Sequence, residues 1–383
     1  MTQDDLGFRV DPRPAAQRAG VQWRRDPVTD VVAVGRADLE RREFAKTTLY
    51  SLAALAVPMH EWHEIAERGT YARGSGAAVG SGEVSAVRHM TAAFYHTDER
   101  FGGGHGRLPI VAYLVNDVAG YLRGRYANAD DRRAMFSAAA ELTYLAGWKA
   151  FDSALHGLAQ NYYLRALRLA NEADDQLLAA FILRAMANQA MDLGHAQTCV
   201  RLAEAALDRS GRRATPGASA LFTVVKARGL AAERQATETT SNLLRAENLL
   251  SRVDRGAEPI WINRIVGEPS LANHTGQALR DLGDLGGAER QFKRSIATRD
   301  GMAFPRVQAL TLANLANVQF TRSSLPEACK HWSGALDIVA GMRSSRADDA
   351  VANIRRRLAT LGPRMPTFAR ELDERAASIT APA

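Results

Sequence analysis

From Glu83 onward, apolar and polar positions recur at helical spacing, and the breaks are short: Phe101 to Pro109, Ser210 to Gly217, Arg255 to Pro259 and Asp300 to Pro305. Within this run one triplet returns: a small residue, a bulky one four positions later and a small one three after that. Ala159, Tyr163 and Ala166 carry it, as do Ala196, Val200 and Ala203. Ala288, Phe292 and Ser295 repeat it, then Ala328, Trp332 and Ala335; Thr239, Leu243 and Ala246 form a weaker instance. The small positions let two helices approach closely, and the bulky one fills the gap between them. Leading residues are spaced 37, 43, 49 and 40 apart, a period of helix pairs with loops absorbing the irregularity. Gly147 and Gly276 each lie twelve residues before a leading Ala, where a partner helix needs a small residue, and Gly283 and Leu285 mark a turn before Ala288.

This is the pattern of tetratricopeptide-type repeats. It predicts an all-α, right-handed superhelical solenoid of TPR-like helix pairs with more than about half the residues helical, against about a third in ordinary domains. The solenoid is expected over 131–362, with a helical tail at 363–383. Residues 1–37, with Pro12, Pro14 and Pro27, read as an arm or linker. An N-terminal helical region follows over 38–130, with a helix from Asp38, as its cap, to about Val57 and a Gly/Ser-rich break from Gly69 to Gly82.

Composition agrees with helices packed through small and aliphatic side chains: 46% hydrophobic but only 7% aromatic. The formal charge is +7, and lysine supplies only five of the 49 basic residues. Arginines interleave with Asp and Glu, clustering only at Arg41-Arg42, Arg212-Arg213 and Arg355 to Arg357, so charge alone does not make a nucleic-acid binder. Weak, salt-sensitive DNA binding is the expectation, direct or through a partner. Cys199 and Cys329 form neither a disulfide framework nor a zinc spacing, which fits a reducing compartment. Arg41 to Lys46 followed by an apolar stretch to Pro58 imitates a twin-arginine signal. The stretch is too short to span a bilayer, and the expected location is cytoplasmic, with no membrane partner.

Candidate chemistry is sparse. His60 and His63 share a helix face, and His89, His96 or His105 would be needed to extend them to a metal set, but no HExxH spacing is present and no metal site is expected. Phe101 to Arg107 is a Gly-rich turn without the GK[ST] ending of a nucleotide loop. The pairs Asp130-Asp131, Asp174-Asp175 and Asp348-Asp349 read as helix starts. Without GxSxG, SxxK or CxxC, no enzyme and no cofactor are expected. Binding residues are instead sought on the first helix of each pair, which lines the concave groove. Counting back from the leading Ala gives Glu141, Tyr144 and Trp148, then Asn188, then Asn273, Gln277 and Arg280, then Asn317. Amides there can hold a peptide backbone.

Several stretches carry a resemblance: Arg41-Arg42-x-Phe44 leading to His60-Glu61-Trp62, Phe101 to His105, Leu145 to Trp148, and His156 to Gln160 with Tyr163. Ala214-Thr215-Pro216, Pro259-Ile260-Trp261 and Asp281-Leu282-Gly283 continue it. Over about 38–360 the chain resembles the TPR region of the helix-turn-helix/TPR transcriptional regulators of high-GC Gram-positive bacteria, without a recognisable helix-turn-helix. The resemblance implies a regulatory binding protein whose groove senses a peptide, small molecule or protein partner, and a homodimer is compatible with it. Two alternatives stand beside it: a direct DNA-binding regulator with its reader domain lost or upstream, and an enzyme with a His-containing site on a helical scaffold.

Overall fold

A computed structural model describes residues 26–40, 46–55 and 76–380, and 79% of them are helical. The core of the molecule is a run of six antiparallel helix pairs. They are α4 (Ala129–Asp152) with α5 (His156–Glu172), α6 (Gln176–Asp192) with α7 (Ala196–Ser210), and α8 (Pro216–Ala232) with α9 (Ala236–Leu250). Then come α10 (Glu268–Leu282) with α11 (Leu285–Thr298), α12 (Pro305–Thr321) with α13 (Leu325–Val339), and α14 (Ser345–Ala359) with α15 (Thr367–Thr380). All five triplets fall on second helices, and the array is an all-α solenoid, as the repeat pattern predicts. The stretch expected as a tail supplies the second helix of a sixth pair.

The local chemistry of the first five pairs is the same. Between the two helices one residue takes a left-handed backbone: Ala154, Gly194, Arg234, Gly283 and Ser323 in successive pairs. One amide beyond it donates back to the first helix, as in Leu155 N to Ala150 O at 2.9 Å and His195 N to Ala190 O at 2.8 Å. Helix starts are capped by Asn128, Asp175, Thr215, Asp284 and Ser344, whose side chains accept amide protons. The close helix contact is steric. A Cβ on Gly147 would come within 2.8 Å of the Tyr163 ring, and one on Gly276 within 2.8 Å of Phe292. Both glycines are where the spacing placed them.

Ahead of the array lie α1 (Pro27–Glu40), α2 (Ser81–Phe101) and α3 (Arg107–Tyr113), the last prolonged by a π-turn and a further helical turn to Leu122. Helix α1 corrects the expectation of an arm through residue 37. It begins at Pro27, where a proline costs no hydrogen bond, and Asp38 lies buried near its end rather than capping a helix start. It is held by buried polar pairs: Arg168 to Asp30, Arg107 to Asp38, and the Tyr162 hydroxyl donating to Asp38 at 2.8 Å. Such pairs carry no helical periodicity, so pattern alone misses them. The Arg41–Phe44 and His60–Glu64 motifs lie outside the described residues.

The hydrophobic core is continuous from α1 to the connection at Trp261–Val266, and separate smaller clusters serve pairs four to six. The break falls at α9, which buries only Thr239 and Ala246, the weakest triplet in the sequence.

Candidate functional site

Helix α2 packs on α4 and also reaches α12. These are first helices of the first and fifth pairs, so α2 crosses the inner side of the curved array. Its last turn meets the chain again 208 residues later: Arg306, 1% exposed, pairs with Asp98 at 2.7 Å and with Asp152 at 3.1 Å. Lys149 Nζ adds a contact to Asp98 at 3.4 Å and donates to the His105 carbonyl at 3.0 Å. Trp148 Nε1 donates to Asp98 at 3.1 Å, and the Ser344 hydroxyl and the Gly103 amide donate to Asp152 at 3.0 and 2.7 Å. Burial pushes the Asp98 carboxyl upward, but Arg306 and Lys149 outweigh it and hold the group below its ordinary range. The neighbouring Glu99 has the opposite balance, and burial raises it.

The glycine loop after α2 completes this clasp. The Gly104 amide donates to the Arg343 carbonyl at 2.9 Å, and the Arg343 amide donates to Phe101 O at 2.9 Å. A Cβ on Gly102, which has a left-handed φ of 87°, would sit 2.4 Å from the Arg343 oxygen. The three glycines are therefore more than a turn: they let two backbones touch.

Further along the inner face a second polar group gathers. Arg228 donates to Asn188 Oδ1 at 3.3 Å and lies 3.6 Å from Asp192. Arg346, from the sixth pair, also reaches Asp192, at 3.5 Å, and lies over the Trp148 and Phe151 rings. Arg184 packs against the Phe181 ring. Trp261, on the connection between pairs three and four, meets Phe181 in a tilted ring contact at 4.8 Å, and Tyr144 contacts Phe181 at 5.1 Å. His274 lies among these arginines. Burial, then the charges of Arg228, Arg184, Arg299 and Arg346, hold its pKa well below the ordinary value, so the ring is neutral at pH 7.

The groove residues counted from sequence divide into three sets. Glu141, Tyr144 and Trp148 share one face of α4, turned to α2; Glu141 and Tyr144 are buried, and Trp148 is half-buried. Asn188 joins the arginine group. On α10, Asn273 Oδ1 accepts from Thr311 at 3.3 Å, Arg280 contacts Asp281 and Asn314, and Gln277 is half-buried beside them. Asn317 is placed apart from these: its Oδ1 accepts from Trp332 Nε1 at 3.3 Å, inside the fifth pair. Sequence reasoning missed Asp98, Lys149, Arg184, Arg228, Arg306 and Arg346. The one available signal was a lysine, Lys149, in an otherwise apolar helix of a lysine-poor chain.

Two stretches singled out in the sequence, Ala214 to Pro216 and Pro259 to Trp261, meet in space. Glu258, beside Pro259-Ile260-Trp261, accepts from Thr215 and from the Gly217 amide at 2.7 Å, fixing the start of α8. Gln160 exchanges hydrogen bonds with the Ser51 backbone at 2.9 and 2.8 Å. A cleft of about 440 Å³ is lined by Glu204, Asp208, Lys226 and Arg245, and one of about 190 Å³ by Leu243, Leu244, Leu271 and Arg294. Among the described residues no helix is long and apolar enough to cross a membrane, and no three His, Cys, Asp or Glu side chains gather as a metal site would need.

No protein-family model matches the chain, and no curated protein does. Solved structures similar to it in outline include the following two. The crystal structure of BtubC (BKLC) from P. vanneervenii is 17% identical, with a TM-score of 0.37 over 67% of this chain and 91% of that one. The crystal structure of Rap protein complexed with competence and sporulation factor is 14% identical, with a TM-score of 0.43 over 77% of this chain and 98% of that one.

Proposed function

We propose that this chain is a regulatory binding protein, and that the inner face of its helix array takes a peptide, a small molecule or an extended segment of a protein partner. One observation carries the reading. The inner face is rich in polar and aromatic side chains, and the array closes over it through a clasp of ion pairs and backbone contacts. A packed apolar seam would make a permanent closure. A polar clasp can be retuned by a ligand at small cost, because removing water from its charges is already nearly as unfavourable as their attraction is favourable. Stacked repeats add to this, since small changes per pair accumulate along the array.

A ligand seated among Asn188, Asn273 and Gln277 lies between the clasp and the break in the core at α9, so its binding biases how α2 sits against α12. Helix α2 is then the reporter, and its altered surface is what a downstream partner reads. The resemblance to TPR-containing regulators supports an output in transcriptional control, exerted through that partner. The test is native mass spectrometry of the full chain purified from its own host. The reading expects a bound compound or peptide that acid releases, that rebinds to the wild type, and that binds at least tenfold more weakly to an Asn188→Ala/Gln277→Ala variant of normal helical content. Equal rebinding by that variant would remove the inner face as the site.

A further inference from the structure

The inner face holds more buried cation than its own carboxylates can neutralise. Arg184 is 6% exposed, yet among the described residues it has no ion pair and no hydrogen bond; its Nε is buried without a partner, and the guanidinium lies 5.6 Å from the centroid of the Phe181 ring. Arg228, 7% exposed, also has an unpartnered Nε. Its carboxylate, Asp192, is shared with Arg346 at 3.6 and 3.5 Å. His274 adds a buried Nδ1 with no partner. Three nearby acids are engaged elsewhere: Asp98 and Asp152 by Arg306 and Lys149, and Glu99 by Arg306 at 3.6 Å. Glu141 feels Arg264 and Arg88 rather than this group.

A buried guanidinium with no counter-charge is strongly unfavourable, and buried charges are ordinarily paired. Here Arg228 and Arg346 meet at Asp192, and Arg184 and the neutral His274 ring lie within the field of the same charges; the four come from four different pairs. Guanidinium forks match the geometry of oxyanions, whose two or more oxygens accept paired N–H groups. We infer that Arg184, Arg228, Arg346 and His274 form a binding site for the oxyanion group, carboxylate or phosphate, of the ligand that occupies the inner face. The inference rests on the reading of that face as the binding site and adds the charge of what binds. Arg184 and Arg228 grip the anion, His274 donates one N–H, and Arg346 carries its occupancy to the sixth pair.

The probes are sodium phosphate and sodium citrate, each compared with sodium chloride at equal ionic strength, and the readouts are melting temperature and titration calorimetry on the full chain. At least one of the two oxyanions raises the melting temperature above that in chloride. Arg184→Met weakens that binding at least tenfold, and it melts no lower than wild type in chloride, since it removes a charge the fold leaves unpaired. Arg184→Lys keeps the charge without the fork and also binds more weakly. Arg213→Gln, at an exposed pair with Asp174, changes nothing. A response to phosphate alone or to citrate alone names the oxyanion. The inference is overturned if Arg184→Met binds both probes as well as wild type does, if it melts well below wild type in chloride, or if neither probe acts differently from chloride. A host ligand that binds the inner face and carries no anionic group would also overturn it, while leaving the binding face itself intact.

Discussion

Arg306→Met removes the buried ion pair that ties α2 to the fifth pair. Arg306 is 1% exposed and contacts Asp98 and Asp152, which are both fully buried. Breaking a buried ion pair from one side typically costs about 3–5 kcal/mol, because a charge is left behind without its partner. The loss here belongs at the lower end, near 3 kcal/mol, because each carboxylate keeps other donors. Asp98 retains Lys149 and Trp148, and Asp152 retains Ser344 and Gly103. That is a large part of the 5–15 kcal/mol that holds a typical domain folded. Acidity supplies a second signature. Asp98 has a depressed folded-state pKa, so its contribution is present above the ordinary Asp pKa near 4 and is lost as pH falls through the folded value. Glu99, raised by burial, has the opposite sign and gains on acidification. In Arg306→Met the Asp98 contribution shrinks, and the acid limb of the stability profile moves to higher pH. Urea denaturation followed by circular dichroism from pH 3 to 8 measures both effects, and hydrogen exchange locates them at residues 81–107. A loss below about 1 kcal/mol, with exchange in that segment unchanged, would refute the idea that this network holds the clasp.

Gly103→Ala places a Cβ 2.7 Å from Asp152 Cβ and from Lys149 O; overpacking of this kind costs about 1–3 kcal/mol, and the melting temperature falls accordingly. Asn317→Ala strands the Trp332 indole N–H in the fifth pair and costs about 1–3 kcal/mol in a urea titration, whereas Gln277→Ala stays within about 0.5 kcal/mol. Ala288→Leu forces a larger side chain into a fully buried helix contact and costs about 1–3 kcal/mol, again read from denaturation midpoints.

Much of the array was legible because its packing obeys a local rule. Small-bulky-small triplets name the second helices, and Gly147 and Gly276 name the partner helices they touch. The turns were less legible, since Gly194 and Gly283 use glycine for a backbone that Ala154, Arg234 and Ser323 also adopt. A non-glycine residue there costs about 1–2 kcal/mol, which the surrounding helix packing offsets. The site divides along the same line. Helical counting placed Glu141, Tyr144 and Trp148 on one face, because that depends only on spacing. It could not find Arg306 opposite Asp98, because charge pairing over 208 residues leaves no periodic trace. It could not separate Asn317 from Asn273 either, since one turn of a helix decides whether an amide faces the groove or a tryptophan.

The central claim is that ligand binding occurs on the inner face and is felt by α2. Hydrogen-exchange mass spectrometry of the full chain, with and without the ligand released from protein purified from its host, tests it most directly. The account predicts slower exchange in the first helices α6, α8 and α10 and a changed rate at residues 98–107 and 341–346, with α7, α9 and α11 unaffected. Protection confined to α7, α9 and α11, with residues 98–107 exchanging as before, would contradict it.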